Sequence, residues 1–191
     1  MPAPDRAVPL WLLDVDGVVN VLSTGADGLP WPSEQWIQRV VYAPIEGRGL
    51  MTLPILAARP VLEFITRVHE SAAAEIRWHS TWRGAAATHL GPVLGLPPLP
   101  FSVAPEWLDE SDVLWWKLPG AQRAVAAGRC LVWTDDDLDT YARHADPHTS
   151  GALATVAARQ DTLLICPRRD RGLGPEDLDA IAAFLAAAGP G

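Results

Sequence analysis

The chain has 191 residues, 49% of them apolar and 20% charged, which supports a packed core and excludes a disordered chain. At about 150 residues per domain, the length fits one domain over the whole chain, with an insertion, better than two full domains. Fifteen Lys and Arg against 23 Asp and Glu give a formal charge of −8, so the chain lacks the basic footprint of a protein that grips polyphosphate without regard to sequence.

The two cysteines, Cys130 and Cys166, each lie in an apolar run that reads as a buried strand, so both are expected as reduced core residues. No Cys/His spacing points to zinc. No run approaches the roughly 20 apolar residues that span a bilayer, and Met1–Leu13 lacks a basic stretch of the secretory kind. The expectation is a cytoplasmic protein with no membrane partner.

In chain order, Val8–Leu13 is a compact apolar run that stops at Asp14 and reads as a strand buried on both faces. Residues 21–56 follow, rich in Gly, Pro and Trp. Within them Trp36–Tyr42 and Leu50–Leu53 flank Gly47-Arg48-Gly49, which predicts a β-hairpin hanging as a small flap over the first strand's carboxyl end. Val61, Phe64, Ile65 and Val68 recur at helical spacing, so a helix is expected over about 60–71, with Pro60 in its first turn. Ala74–Trp78 reads as the second buried strand, and Phe101–Val103 as a short edge strand. Ala121–Ala127 reads as a helix closed by Gly128, Arg129–Trp133 as a strand, Ala152–Arg159 as a helix and Thr162–Cys166 as the last strand, stopped by Pro167. Pro175 opens a final helix with Glu176 and Asp177 at its N-terminus, an apolar face of Leu178, Ile181 and Leu185, and Gly189 at its end. Strands alternating with helices predict an α/β fold with a Rossmann-like, mostly parallel sheet flanked by helices.

Ligands of such sheets sit beyond the carboxyl ends of the strands. Asp14 and Asp16 follow the first strand, Ser80 and Thr81 the second, and Asp135, Asp136 and Asp137 the third. Strands about 4.8 Å apart bring these groups within roughly 10 Å of one another. Carboxylates packed so closely need a cation, and an all-oxygen donor set favours Mg²⁺. The sharpest element is the Asp-x-Asp-Gly turn in Leu12-Leu13-Asp14-Val15-Asp16-Gly17-Val18-Val19-Asn20. Asp14 is the candidate nucleophile toward phosphorus, and Asp16 the candidate acid/base that protonates the leaving oxygen and then accepts a proton from water. The plainer alternative is a solvated Asp-Gly turn.

That stretch resembles motif I of the haloacid dehalogenase (HAD) superfamily, in the Asp-x-Asp form of its phosphatase branch. The other motifs follow in the family's order. Ser80 in Ile76–Trp82 resembles motif II, whose hydroxyl binds the transferring phosphoryl group, with Thr81 as the adjacent alternative. Lys117, in Trp115–Gly120, resembles the motif III lysine that neutralises nucleophile and phosphate. Val132–Asp137 resembles motif IV, with Asp135 and Asp136 as the Mg²⁺-holding pair beside Asp14 and Asp16, while Asp137 begins the next turn or caps the following helix. The resemblance spans residues 8 to about 185 and implies a Rossmann-like HAD fold. Trp78–Trp82, Leu94–Pro97 and Gly172-Leu173 before the last helix also resemble, more loosely, the HAD domain of "Swiss Army Knife" RNA repair proteins.

The resemblance implies a Mg²⁺-dependent phosphohydrolase working through an aspartyl-phosphate on a phosphomonoester: a small metabolite, a nucleotide or a nucleic-acid end. Two other readings use the same residues: a phosphate- and Mg²⁺-binding regulatory or interaction module without turnover, and a phosphotransferase to an acceptor other than water. Trp31, Trp36 and Tyr42 are candidates to stack on a flat substrate, and Arg83, with Arg39 and Arg48, to meet a second anionic group. His79 sits beside the site and is expected as a hydrogen-bonded neighbour. A small flap leaves the site open, compatible with a large substrate or with closure by a second copy in a homodimer.

Overall fold

The computed structural model describes residues 7–23, 25, 28–45, 48–102 and 116–188. Strand β1 (Leu10–Leu13) is buried along its whole length. It lies inside a four-stranded parallel sheet of order β4-β1-β5-β6, formed with β4 (Glu75–Trp78), β5 (Leu131–Thr134) and β6 (Thr162–Ile165). A strand buried on both faces needs apolar side chains at every position, because alternate residues point to opposite sides. Trp11, Leu13, Ile76, Trp78 and Val132 enter one core, whereas Leu10, Leu12, Leu131 and Trp133 enter another on the opposite face.

Helix α1 (Arg59–Glu70) and α6 (Pro175–Ala188) close the first core with Val61, Ile65, Leu178 and Ile181. A π-helical turn (Ala86–Leu90) running into the short α2 (Gly91–Leu94) adds Ala86, Leu90 and Leu94. On the other face, α3 (Lys117–Ala126), α4 (Leu138–His144) and α5 (Pro147–Ala157) contribute Leu118, Ala121, Leu138, Tyr141, Leu153 and Val156. The described chain is therefore α/β, with helices on both faces of a parallel sheet, and among the described residues no helix is long and apolar enough to cross a membrane.

The expected hairpin is present and longer than its sequence signal. Strands β2 (Trp36–Ile45) and β3 (Gly49–Ala58) pair antiparallel, from Trp36 opposite Ala58 to Ile45 opposite Gly49. Gly47 of the expected turn lies outside the described residues. One hairpin face sends Val41, Ala43, Ile55 and Ala57 into the first core, while Val40, Tyr42 and Leu50 on the other are 50%, 65% and 77% exposed. On the edge of β3, Leu56 accepts a hydrogen bond from the Val21 amide at 2.8 Å and donates its own amide to Asn20 Oδ1 at 3.0 Å.

Several boundaries differ from the sequence reading. Helix α3 begins at Lys117, four residues before Ala121. Pro119 is tolerated in a first turn, where its missing N–H has no intrahelical partner to lose. Helix α5 begins at Pro147, not Ala152, because Asp146 caps it by accepting from the His148 and Thr149 amides at 2.9 and 3.1 Å. Helix α4 follows Asp137, one of the two places that the sequence offered for that residue. Asp137 occupies its N-cap position without a side-chain capping bond. Phe101 contributes an isolated parallel bridge to Trp78 rather than a strand, and Val103 and Gly189 lie outside the described residues. Cys130 and Cys166 are free thiols but only partly buried, one residue outside β5 and β6 respectively.

Candidate active site

The register of the sheet builds the site. Leu13 pairs with Thr134 and with Trp78, so the chain leaves β1, β5 and β4 at the same level, and Asp14, Asp135 and the His79-Ser80 step emerge side by side. Backbone bonds extend this alignment one residue further: the Asp14 amide donates to Thr134 O at 3.1 Å, the Asp135 amide to Ile165 O at 3.1 Å and the His79 amide to Leu13 O at 2.8 Å.

Lys117, the first residue of α3, reaches in from the helical layer. Its Nζ donates to Asp14 Oδ2 and to Asp135 Oδ2, each at 2.7 Å, and the residue is 3% exposed. Asp14 Oδ1 also accepts the Val15 amide at 2.7 Å, and Asp135 accepts the Asp137 amide on Oδ1 at 3.1 Å and the Trp133 indole on Oδ2 at 3.3 Å. Asp136 completes the group: one carboxylate oxygen from each of Asp14, Asp135 and Asp136 lies within 4.8 Å of the others. These three carboxylates could hold a metal ion. Gly17 permits the crowding, since with φ +74° it presents only hydrogen toward Asp136, and a Cβ there would fall 2.3 Å from Asp136 Cγ.

The electrostatics show a deficit of positive charge. Burial opposes the Lys117 charge, but Asp14 and Asp135 outweigh it and hold the ammonium above its ordinary range. One ammonium cannot balance three carboxylates. Burial, then the Asp14 charge, push the Asp135 carboxyl up to about 6 in spite of Lys117. Burial, then Asp137, Asp14 and Asp135, push Asp136 up to about 7. Arg169 Nε, 3.5 Å from Asp136 Oδ2, lies on a side chain that is 64% exposed and offsets little of this. A bound metal ion would supply positive charge that the ionised cluster lacks.

Asp16 is placed differently. Its carboxylate is not one of the three that converge; Oδ1 accepts Asn20 Nδ2 at 2.8 Å and Oδ2 accepts Trp82 Nε1 at 2.9 Å. Burial raises its pKa despite both donors. Asp16 thus lies outside the group of carboxylates that could hold a metal ion, where it was expected among the ligands, and neutral donors hold both of its oxygens.

Ser80 is fully buried, with Oγ 3.4 Å from the Trp82 amide, whereas Thr81 is exposed. His79 is a buried strut. Its Nε2 lies 2.9 Å from the Lys117 carbonyl, which can only accept, so Nε2 carries the proton and Nδ1 accepts from Ser102 Oγ at 2.5 Å. The ring packs edge-on against Trp116 and Trp133. Gly120 gives it room, since a Cβ there would lie 2.7 Å from His79 Cε1. Burial and then the Lys117 charge hold the imidazole down at about 3, so the ring is neutral.

The aromatics that the sequence offered for stacking are placed as follows. Trp31 donates its indole to Leu173 O at 2.9 Å and Trp36 to Trp31 O at 3.0 Å, and both pack against the first core. Tyr42 lies on the outer hairpin face. Arg39 is exposed and bonds the neighbouring Gln38 carbonyl, Arg48 lies in the hairpin turn, and half-buried Arg83 sits in the turn after Ser80 with φ +49°. Sequence reasoning missed Asn20, Trp82 and Arg169. The Arg168-Arg169-Asp170-Arg171 run after β6 was a usable signal for Arg169, whereas the contacts of Asn20 and Trp82 have no periodicity that reveals them. In comparisons with known family models, curated proteins and solved structures, the chain matches none.

Proposed function

We propose that this chain is a Mg²⁺-dependent phosphohydrolase of the HAD type that works through an aspartyl-phosphate. The observation that carries the reading is the Lys117 ammonium shared at 2.7 Å by Asp14 and Asp135, beside Asp136 and with Asp16 two residues along the same turn. Asp14, Asp135 and Asp136 would hold the ion, which supplies positive charge for the phosphoryl oxygens. Mg²⁺ is favoured because every donor is a carboxylate oxygen.

In the proposed reaction an Asp14 carboxylate oxygen attacks phosphorus as the bond to the ester oxygen breaks, and Asp16 gives its proton to that oxygen. Lys117 orients Asp14 and balances charge on the equatorial oxygens, and the Ser80 hydroxyl donates to the phosphoryl group. Water then attacks the phosphorus of the aspartyl-phosphate, Asp16 takes its proton, and Asp14 is released as carboxylate. The raised pKa of Asp16 suits both roles, since a carboxyl must hold its proton long enough to deliver it. The hairpin and its flanking loop, residues 21–56, are proposed as the element that selects among phosphorylated metabolites, nucleotides and nucleic-acid ends, because the chemistry of the sheet is generic.

The test is hydrolysis of 4-nitrophenyl phosphate with and without Mg²⁺. Activity is expected to need the ion and to fall by about 10³-fold or more in Asp14→Asn, since the nucleophile is lost. Wild-type rates in Asp14→Asn would refute the nucleophile assignment.

A further inference from the structure

The two aspartates of the Asp-x-Asp turn are held in unlike ways. Asp14 is fixed by a cation and a backbone amide. Both oxygens of Asp16 accept from neutral side-chain donors, Asn20 at 2.8 Å and Trp82 at 2.9 Å. Each donor is itself anchored. Asn20 is 3% exposed and its Oδ1 accepts the Leu56 amide of β3 at 3.0 Å. Trp82, 66 residues away in sequence from Asp16, is 5% exposed and packs in the first core. The terminal torsion of an aspartate is ordinarily broad. Two anchored donors on opposite oxygens fix it, and each oxygen keeps a second lone pair on which a proton can be carried.

We propose that Trp82 and Asn20 are positioning residues that set the orientation of the Asp16 carboxyl for proton delivery to the departing oxygen. The inference rests on the phosphohydrolase reading above. In the step concerned, the bond from an Asp14 oxygen to phosphorus forms, the bond from phosphorus to the ester oxygen breaks, and the Asp16 proton moves to that oxygen, leaving an alcohol and the Asp16 carboxylate. Among the described residues neither donor bonds to Asp14, Asp135, Asp136 or Lys117, so their removal leaves the nucleophile and the carboxylate cluster in place. An ester whose leaving group departs readily as an anion has little need of that proton. Loss of either donor therefore slows esters of poor leaving groups selectively, a pattern that general loss of structure does not produce.

The experiment compares kcat/KM for 4-nitrophenyl phosphate and 4-nitrobenzyl phosphate, which differ little in shape and greatly in leaving group, in the wild type, Trp82→Phe and Asn20→Ala. Trp82→Phe removes the indole N–H and keeps a ring in the core, and thermal melts verify that each variant folds. A fall of about tenfold on the benzyl ester, with a change of about twofold or less on the phenyl ester, is expected for the loss of one aligned hydrogen bond. A parallel decline on both esters, or no decline on either, overturns the positioning role while leaving the hydrolase reading intact. A wild type that hydrolyses neither ester defeats the hydrolase reading itself, and this inference with it.

Discussion

The carboxyl end of the sheet and the outer face of the hairpin are held in opposite ways. At the sheet end the central side chains are held from several directions: Asp135 accepts from Lys117, Trp133 and the Asp137 amide, and Lys117 is itself fixed through its carbonyl by His79. On the hairpin, Val41, Ala43, Ile55 and Ala57 fix one face, while Val40, Tyr42 and Leu50 meet solvent. The first region stores unfavourable charge in a rigid frame, and the second leaves an apolar surface that can change at little cost to the fold. Under the proposed function, such a division would separate the chemistry, which the frame must hold still, from a surface free to vary with the substrate.

Lys117→Met tests the rigid region hardest. It removes the one ammonium from between two buried carboxylates, so turnover is expected to fall by about 10²–10³-fold and stability by roughly 3–5 kcal/mol, with Mg²⁺ restoring part of the stability. Thermal melts with and without the ion check this. Unchanged stability without Mg²⁺ would contradict the charge balance described. The hairpin offers the matching contrast. Ile55→Ala, at 2% exposure, is expected to cost about 2–5 kcal/mol, and Leu50→Ala, at 77% exposure, no more than about 0.5 kcal/mol, as read by urea unfolding. Equal costs would mean that the two faces do not differ.

A further effect is a dependence on pH. In the folded chain Asp135 and Asp136 hold protons up to about 6 and about 7, against 3.8 for an ordinary aspartate. The folded state therefore binds more protons in that interval, and these two groups make stability fall as pH rises from about 4 to about 7. His79 acts the other way: it stays neutral in the fold down to about 3 against an ordinary 6.5, so its contribution rises with pH across that interval. Comparing Asp136→Asn with the wild type in chelator isolates the aspartate. The variant should gain on the wild type between about pH 5 and about pH 8, and saturating Mg²⁺ should shrink the gain. Melting curves that stay parallel at both pH values would remove Asp136 from the charged cluster.

The sheet and its acidic rim were legible because short apolar runs, each stopping at a polar group, leave few ways to be arranged: Asp14 and Asp135 had to emerge together once their strands paired. The hairpin was legible from Gly47-Arg48-Gly49 between two strand-like runs. Which face of it is buried was not, since Val40 and Val41 are both apolar and only tertiary packing decides between them. Nor did the sequence show that Trp31 and Trp36 donate their indoles to backbone carbonyls. The donors to Asp16 were invisible because a contact across 66 residues leaves no local pattern. The early start of α3, which places Lys117 at the helix N-terminus, was hidden by Pro119 and Gly120, residues that ordinarily mark a loop.

The most direct measurement is to quench the wild type and Asp16→Asn during turnover of a phosphomonoester with Mg²⁺, reduce with borohydride, which converts an acyl-phosphate of aspartate to homoserine, and sequence the peptides by mass spectrometry. Homoserine at position 14, more abundant in Asp16→Asn because its phosphoenzyme is hydrolysed slowly, is the predicted result. Steady hydrolysis with no modification at Asp14, or modification at another aspartate, would contradict the account.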